Sequence, residues 1–275
     1  MSLIFIVFFF ILLAFGVPVV FALLLAPGFG MVVDGQTAYF KLLQSTLYNG
    51  MDSFPLMAVP FFMLAGEIMN RGGIALRLVE FSKSLIGHIR GGLAHVNILC
   101  SILFAGLSGS AVADTSALGS MLIPAMEKNG YSRKFAAAVT AASSVIGPII
   151  PPSGIMIIYA FIMDVSVAAL FAAGFIPGLL VGLALMVISH IIARRRNYPA
   201  ANERVSWRGR AGALRGAFLP LLTPVILLGG ILGGIFTPTE ASAVAAVYAL
   251  FVSLFVLRTL SWSELPSVIF RATLT

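Results

Sequence analysis

The sequence predicts an all-α, polytopic membrane protein whose membrane-embedded helices are broken at two places. Three observations carry this. Of 275 residues, 60% are hydrophobic and only 10% charged, whereas a soluble domain carries about 25% charged residues. Uncharged stretches cover 1–33, 91–113, 135–163, 165–193, 216–239 and 241–257, and an apolar run of about 18 residues is long enough to cross a bilayer. Two hydrophobic segments, 91–127 and 132–163, are broken near their middle by clusters rich in Gly, Ser or Pro, at 106–115 and 147–154.

Composition also excludes several classes. The net charge of +7 is no nucleic-acid signal, because the basic residues sit in short connections between apolar runs. The single cysteine, Cys100, rules out a disulfide framework, and His88, His95 and His190 are too scattered for a Cys/His metal cluster. No nucleophile with a base lies within a span, so an enzyme is not expected.

The first run, residues 3–33, has no basic residue before it and is too long for the core of a cleaved signal peptide. As one helix it would measure about 46 Å. Gly16-Val17-Pro18 interrupts it, leaving either one tilted span or two short ones. The connection 34–53 holds Asp34, Asp52 and one Lys41. The next span starts at Asp52-Ser53-Phe54-Pro55, a cap followed by an early proline, and Glu67 is expected near its inner, interfacial end. Residues 74–90 alternate apolar side chains with Arg77, Glu80 and Lys83, as an amphipathic helix lying along the interface does.

Loop charge orients the chain. Arg71, Arg77, Lys83 and Arg90, then Lys128, Arg133 and Lys134, then Arg194 to Arg196 with Arg204, Arg208, Arg210 and Arg215, and finally Arg258 mark cytoplasmic connections. Residues 34–53, Asp164 and 236–240 read as outside. Residues 91–127 then leave the inner side and return to it. Sixteen steps separate Arg90 from Gly106, about 24 Å of helix, short of the ~30 Å hydrocarbon core. The segment is a re-entrant hairpin with its tip at 106–114. Residues 132–163 start at a Ser132 cap and cannot stay helical through Pro148, Pro151 and Pro152. Gly147 lies about 20 Å along that helix, a depth similar to the hairpin tip.

A span at 165–193 follows, then a basic connector at 194–216. Two apolar helices separated by Phe236-Thr237-Pro238 and an amphipathic start at Ser261–Leu265 complete the chain. Glu240 reads as a first-turn acid. The order in 217–275 repeats that of the first 90 residues, which suggests inverted repeats. The expected division is therefore 1–90, first scaffold spans and interfacial arm; 91–193, transport part; 194–216, connector; and 217–275, start of a second scaffold copy.

The breaks suggest chemistry. The end of the first hairpin arm offers carbonyls and serine hydroxyls to a small hard cation, and the start of the second arm offers its positive dipole end to an anion such as a carboxylate. Pro148, Pro151 and Pro152 free further carbonyls. Asp114 is either a cap for the second arm or a ligand. Each break alone could be a packing kink; two at one depth favour a site.

Gly-Leu-Ser-Gly-Ser-Ala-Val-Ala-Asp-Thr at 106–115, Gly-Pro-Ile-Ile-Pro-Pro-Ser-Gly at 147–154 and Gly-Ile-Phe-Thr-Pro-Thr-Glu-Ala at 234–241 closely resemble the large membrane subunit of tripartite ATP-independent periplasmic (TRAP) transporters, over essentially the whole chain. The resemblance implies an inverted-repeat, elevator-type fold with two hairpins, driven by sodium ions and not ATP. It implies three partners: a small four-helix membrane subunit, a periplasmic substrate-binding protein and a small carboxylate substrate. It places the protein in the bacterial inner membrane. By motif, sodium would be held by Ser108, Ser110 and backbone oxygens of Gly147, Ile150 and Pro152, while Gly109, Ala111, Asp114 and Ser153 would face the substrate. The family's second hairpin and second proline loop have no counterpart here, so the chain reads as C-terminally truncated. The competing readings are a stand-alone divalent-anion/sodium symporter and, further off, an ion channel, which would need a continuous polar path. No residue selects among C4-dicarboxylates, sialic acids and other organic acids.

Overall fold

In the computed structural model the described residues, 2–35, 37–200 and 205–274, form helices and no strand. The side chains of Ser2, Leu3, Thr37 and Ser108 also lie outside the description. The chain divides into two compact units, Met1–Ser53 and Phe54–Thr275.

In the first unit, α1 (Ser2–Ala14) and α2 (Val19–Val33) are separate helices. Gly16 adopts φ +78°, the left-handed region that glycine enters without steric cost. Pro18 then sits at the α2 cap. The helices fold back on each other, with Phe8 stacked on Phe29 at 4.2 Å. Of the two arrangements open for residues 3–33, the structure adopts two short helices. A third helix, α3 (Phe40–Met51), occupies the connection that sequence left without structure.

The second unit is built around α4 (Ala58–Arg71) and α12 (Pro238–Phe251), which lie along each other. Small residues set the approach: Ala58 and Ala65 of α4 and Ala241, Ala245 and Ala246 of α12 are buried in one cluster with Phe62, as close packing between membrane helices requires. Thr239 Oγ1 donates to Phe54 O at 2.7 Å near the two helix starts, and Thr259 Oγ1 donates to Gly72 O at 2.7 Å near their ends. The helices therefore run in the same direction. After α12 the backbone widens into a π-helical turn at Val252–Val256.

Two glycines, Gly72 and Gly73, turn the chain from α4 into α5 (Ile74–Ile86), which buries Ile74, Ala75 and Leu78 and leaves Leu76 and Glu80 exposed. Next come α6 (Gly92–Ser108) and α7 (Ala111–Lys128), the two arms of a hairpin, then α8 (Arg133–Ser144), α9 (Gly154–Met163) and α10 (Val167–Arg195). Ser132, Ser153 and Ser166 cap α8, α9 and α10 by accepting from the N–H three residues on. The remaining helices are α11 (Trp207–Leu232) and α13 (Leu265–Leu274). By length and composition α10, α11 and the stretch Pro238–Val256 can each cross a bilayer unaided. The turn between α11 and α12 closes with a capping box, in which Thr237 Oγ1 accepts from Glu240 N and the Glu240 carboxylate accepts from Thr237 N at 2.8 Å. Glu67 pairs with Arg71 one turn on, at 3.2 Å.

Candidate functional site

The hairpin arm α6 is pinned to α8 by buried polar groups. Asn97 Nδ2 donates to Thr140 Oγ1 at 2.7 Å, and Ser101 Oγ donates to Ser143 Oγ at 2.9 Å. All four side chains are inaccessible. Residues 97 and 101 lie one turn apart on α6, and 140 and 143 one turn apart on α8, so the contacts fix the vertical register of one helix against the other. The α7 arm packs on α8 as well. This sets the height at which each broken backbone ends.

The first break is sharp. Helix α6 stops at Gly109, whose φ is +58° and whose N–H bonds to Ala105 O. Ser110 is extended (φ −130°, ψ 119°), and its hydroxyl accepts from Ala113 N to start α7. The second break is a hydrogen-bonded turn at 145–150 followed by a cis Pro151–Pro152 bond. Ser153 then repeats the geometry of Ser110 (φ −135°, ψ 128°), its hydroxyl accepting from Met156 N to start α9.

The two breaks touch backbone to backbone. A methyl group built on Gly109 would lie 2.5 Å from Pro152 O and 2.9 Å from Ser153 Cα; one built on Gly147 would lie 2.7 Å from Asp114 Oδ2 and 3.3 Å from the Ser110 carbonyl carbon. At Gly109, with φ +58° and backbone atoms in the way, only glycine fits; at Gly147 a side chain would have to displace the Asp114 carboxylate. The contact brings the starts of α7 and α9 side by side, each with a serine cap and a positive dipole end. Asp114 stands in the first turn of α7, fully buried.

The sequence-predicted residues fall as follows. Gly109, Ser110, Asp114, Gly147, Pro152 and Ser153 meet at the contact. Ala111 lines the cavity beside it. Ile150 directs its side chain away, onto Gly178 of α10. The Ser108 side chain lies outside the described residues. Sequence reasoning missed the polar ladder, although a lone Asn with a Ser four residues later in an apolar run was the signal. It also missed that both helix starts open on a single cavity of about 860 Å³, lined on its far side by Pro60 to Leu64 of α4 and by Ile269 and Thr273 of α13. Among the described residues no group of three or more His, Cys, Asp or Glu could hold a metal ion.

A helical membrane protein with two broken helices meeting at a cavity has the architecture of a secondary transporter. The family profile "Tripartite ATP-independent periplasmic transporter, DctM component" matches residues 6–275, and the chain belongs to that family. It is 47% identical over 253 residues to the sialic acid TRAP transporter large permease protein SiaM of Vibrio cholerae, covering 91% of this chain and 58% of that protein. It is 47% identical over 226 residues to the C4-dicarboxylate TRAP transporter large permease protein DctM of Pseudomonas aeruginosa, covering 82% and 53%. It is 41% identical over 266 residues to the 2,3-diketo-L-gulonate TRAP transporter large permease protein YiaN of Escherichia coli, covering 96% and 61%. The chain thus spans rather more than half the length of these relatives.

Proposed function

We propose that this chain belongs to the large permease subunit of an inner-membrane importer that takes up a small organic acid, driven by sodium and fed by a periplasmic binding protein. The observation that carries the reading is the convergence of two serine-capped helix starts, α7 and α9, beside the ended α6. Two positive dipole ends favour a carboxylate, and the carbonyls of the interrupted backbone favour a small cation. The proposed sodium ligands are Ser108, Ser110 and backbone oxygens of Gly147, Ile150 and Pro152; Gly109, Ala111, Asp114 and Ser153 face the substrate. The three relatives named above handle, by their names, sialic acid, C4-dicarboxylate and 2,3-diketo-L-gulonate, all carboxylates at neutral pH. A small membrane subunit completes the tripartite assembly.

Coupling follows from order. A ligand shifts a conformational equilibrium only through different affinity for its two states. Sodium bound between tip and proline loop fixes two glycine-rich segments and lowers the cost of binding the acid next to it. The movement is of the elevator kind: the hairpin and broken helix travel against α4 and α12. Element order supports the inverted repeat on which such movement rests. The order α1, α2, a 3₁₀ turn at Thr37–Tyr39 and α3 is matched by α11, α12 and, after the π-helical turn at Val252–Val256, a 3₁₀ turn at Trp262–Glu264 and α13.

The test is uptake into proteoliposomes holding the full-length permease and its small subunit. Candidate acids are supplied with and without binding protein, and with and without an inward sodium gradient. Uptake that needs both is expected. Uptake indifferent to sodium overturns the cation reading, and uptake without the binding protein moves the chain to the stand-alone symporters.

A further inference from the structure

We infer that the first turns of α11 bind the headgroup of an anionic phospholipid on the inner leaflet, a site separate from the cavity at the breaks. A groove of about 630 Å³ runs along this part of the helix, lined by Arg208, Ala211, Gly212, Leu214, Arg215 and Phe218. Arg208 and Arg215 are two turns apart, about 10 Å along one face. Between them the helix is nearly bare: a methyl group added at Gly212 would meet nothing within 4 Å. No lining residue is acidic, and α11 carries no acid anywhere.

The groove is built for an amphiphile. A guanidinium stands toward each end of the lining, Arg208 in the first turn of α11 and Arg215 two turns on, and each can pair with phosphate oxygens through its N–H donors. Exposed hydrocarbon flanks Arg215, with Leu214 and Phe218 45% and 55% exposed. A third guanidinium stands close by, since Arg77 of α5 donates from Nη1 to Gly216 O at 3.5 Å. Trp207 is exposed, with the Arg210 guanidinium 5.5 Å from its ring, and tryptophan in that setting marks the headgroup level. Basic pockets on the cytoplasmic side of membrane proteins take anionic headgroups. An acidic protein surface would satisfy the arginines but not the apolar floor, so the occupant is a lipid carrying acyl chains.

The experiment uses the full-length permease with its membrane partner, reconstituted in nanodiscs of phosphatidylglycerol and phosphatidylcholine and released for native mass spectrometry. One retained phosphatidylglycerol per permease is expected. R208Q/R215Q is expected to lower retention about tenfold, and Gly212→Leu, which fills the groove without changing charge, is expected to do the same. R194Q/R196Q removes equal charge outside the groove and is expected to leave retention unchanged. Equal loss in R194Q/R196Q overturns the site in favour of diffuse surface charge. Unchanged retention in R208Q/R215Q, or a bound polypeptide where the lipid is expected, overturns it as well. None of these outcomes depends on what the protein transports.

Discussion

Asn97 donates to Thr140 at 2.7 Å, and this bond joins the hairpin to the broken helix at a point where neither side chain reaches solvent. It is the first rung of the ladder that ends at the contact between Gly109 and Pro152.

Asn97→Leu leaves Thr140 and Ser143 facing hydrocarbon. Hydrogen bonds between membrane helices are worth about 0.6–1.7 kcal/mol, so we expect a fall in melting temperature of a few degrees. A looser tip should also raise the half-saturating sodium concentration, while Asn97→Ser should recover part of both. A lower melting point with unchanged sodium dependence would reduce the ladder to plain packing.

Gly109→Ala forces a methyl group against Pro152 O in a left-handed backbone conformation. We expect uptake to fall by an order of magnitude or more and, if sodium binds at the tip as proposed, any sodium protection against thermal unfolding to be lost. Gly229→Ala, at a position with nothing within 4 Å, is the control and should stay within about 0.5 kcal/mol of the parent.

Ser110→Ala and Ser153→Ala each remove an N-cap, which costs about 1 kcal/mol of helix stability. If Ser153 faces the substrate and Ser110 holds sodium, Ser153→Ala should raise KM by more than it lowers the maximal rate, and Ser110→Ala should raise the half-saturating sodium concentration. An equal effect on KM and maximal rate in the first, or unchanged sodium dependence in the second, would assign that serine to capping alone.

Thr239→Val and Thr259→Val each delete one end of the α4–α12 clamp. Each should cost about 0.6–1.7 kcal/mol. The two sites lie at opposite ends of the helices, so the losses should add in the double variant, which thermal denaturation in detergent can check.

Glu264 supplies the pH-dependent case. Its carboxylate accepts from Ser261 N and Ser261 Oγ, both at 2.8 Å, and these bonds, backbone first, hold its pKa below the usual carboxylate value. A depressed folded pKa stabilises at pH above the unfolded value, and that stabilisation is lost as pH falls through the folded one. Hydrogen-exchange protection at the start of α13 should hold at neutral pH and drop in acid. In Glu264→Gln the drop should disappear.

Much of this was legible beforehand. The break expected within 91–127 appears between α6 and α7, and α8 ends at Ser144, ahead of the prolines at 148, 151 and 152. Periodicity and breaker residues are local signals, and the bilayer permits few alternatives. What sequence left open was settled by tertiary partners. Gly16 and Pro18 marked the break in residues 3–33, but that the two helices fold back on each other, Phe8 on Phe29, was not visible in the sequence. Helix α3 stayed hidden because Gln44, Ser45 and Thr46 gave its connection a loop-like composition. The meeting of Gly109 with Pro152 and of Gly147 with Asp114 was suggested only by equal depth, because residues 43 and 33 positions apart carry no mutual mark in a single sequence.

The threonine bonds at both ends of α4 and α12 have a mechanical meaning. Sliding one helix past the other by one turn, about 5.4 Å, would break Thr239–Phe54 and Thr259–Gly72 together and carry the alanine seam out of register. The pair is therefore stiff in shear and behaves as a beam. If the proposed elevator movement operates, its displacement is taken up where α6 and α9 rest against the α4 side of that beam, much as a carriage moves along a fixed rail.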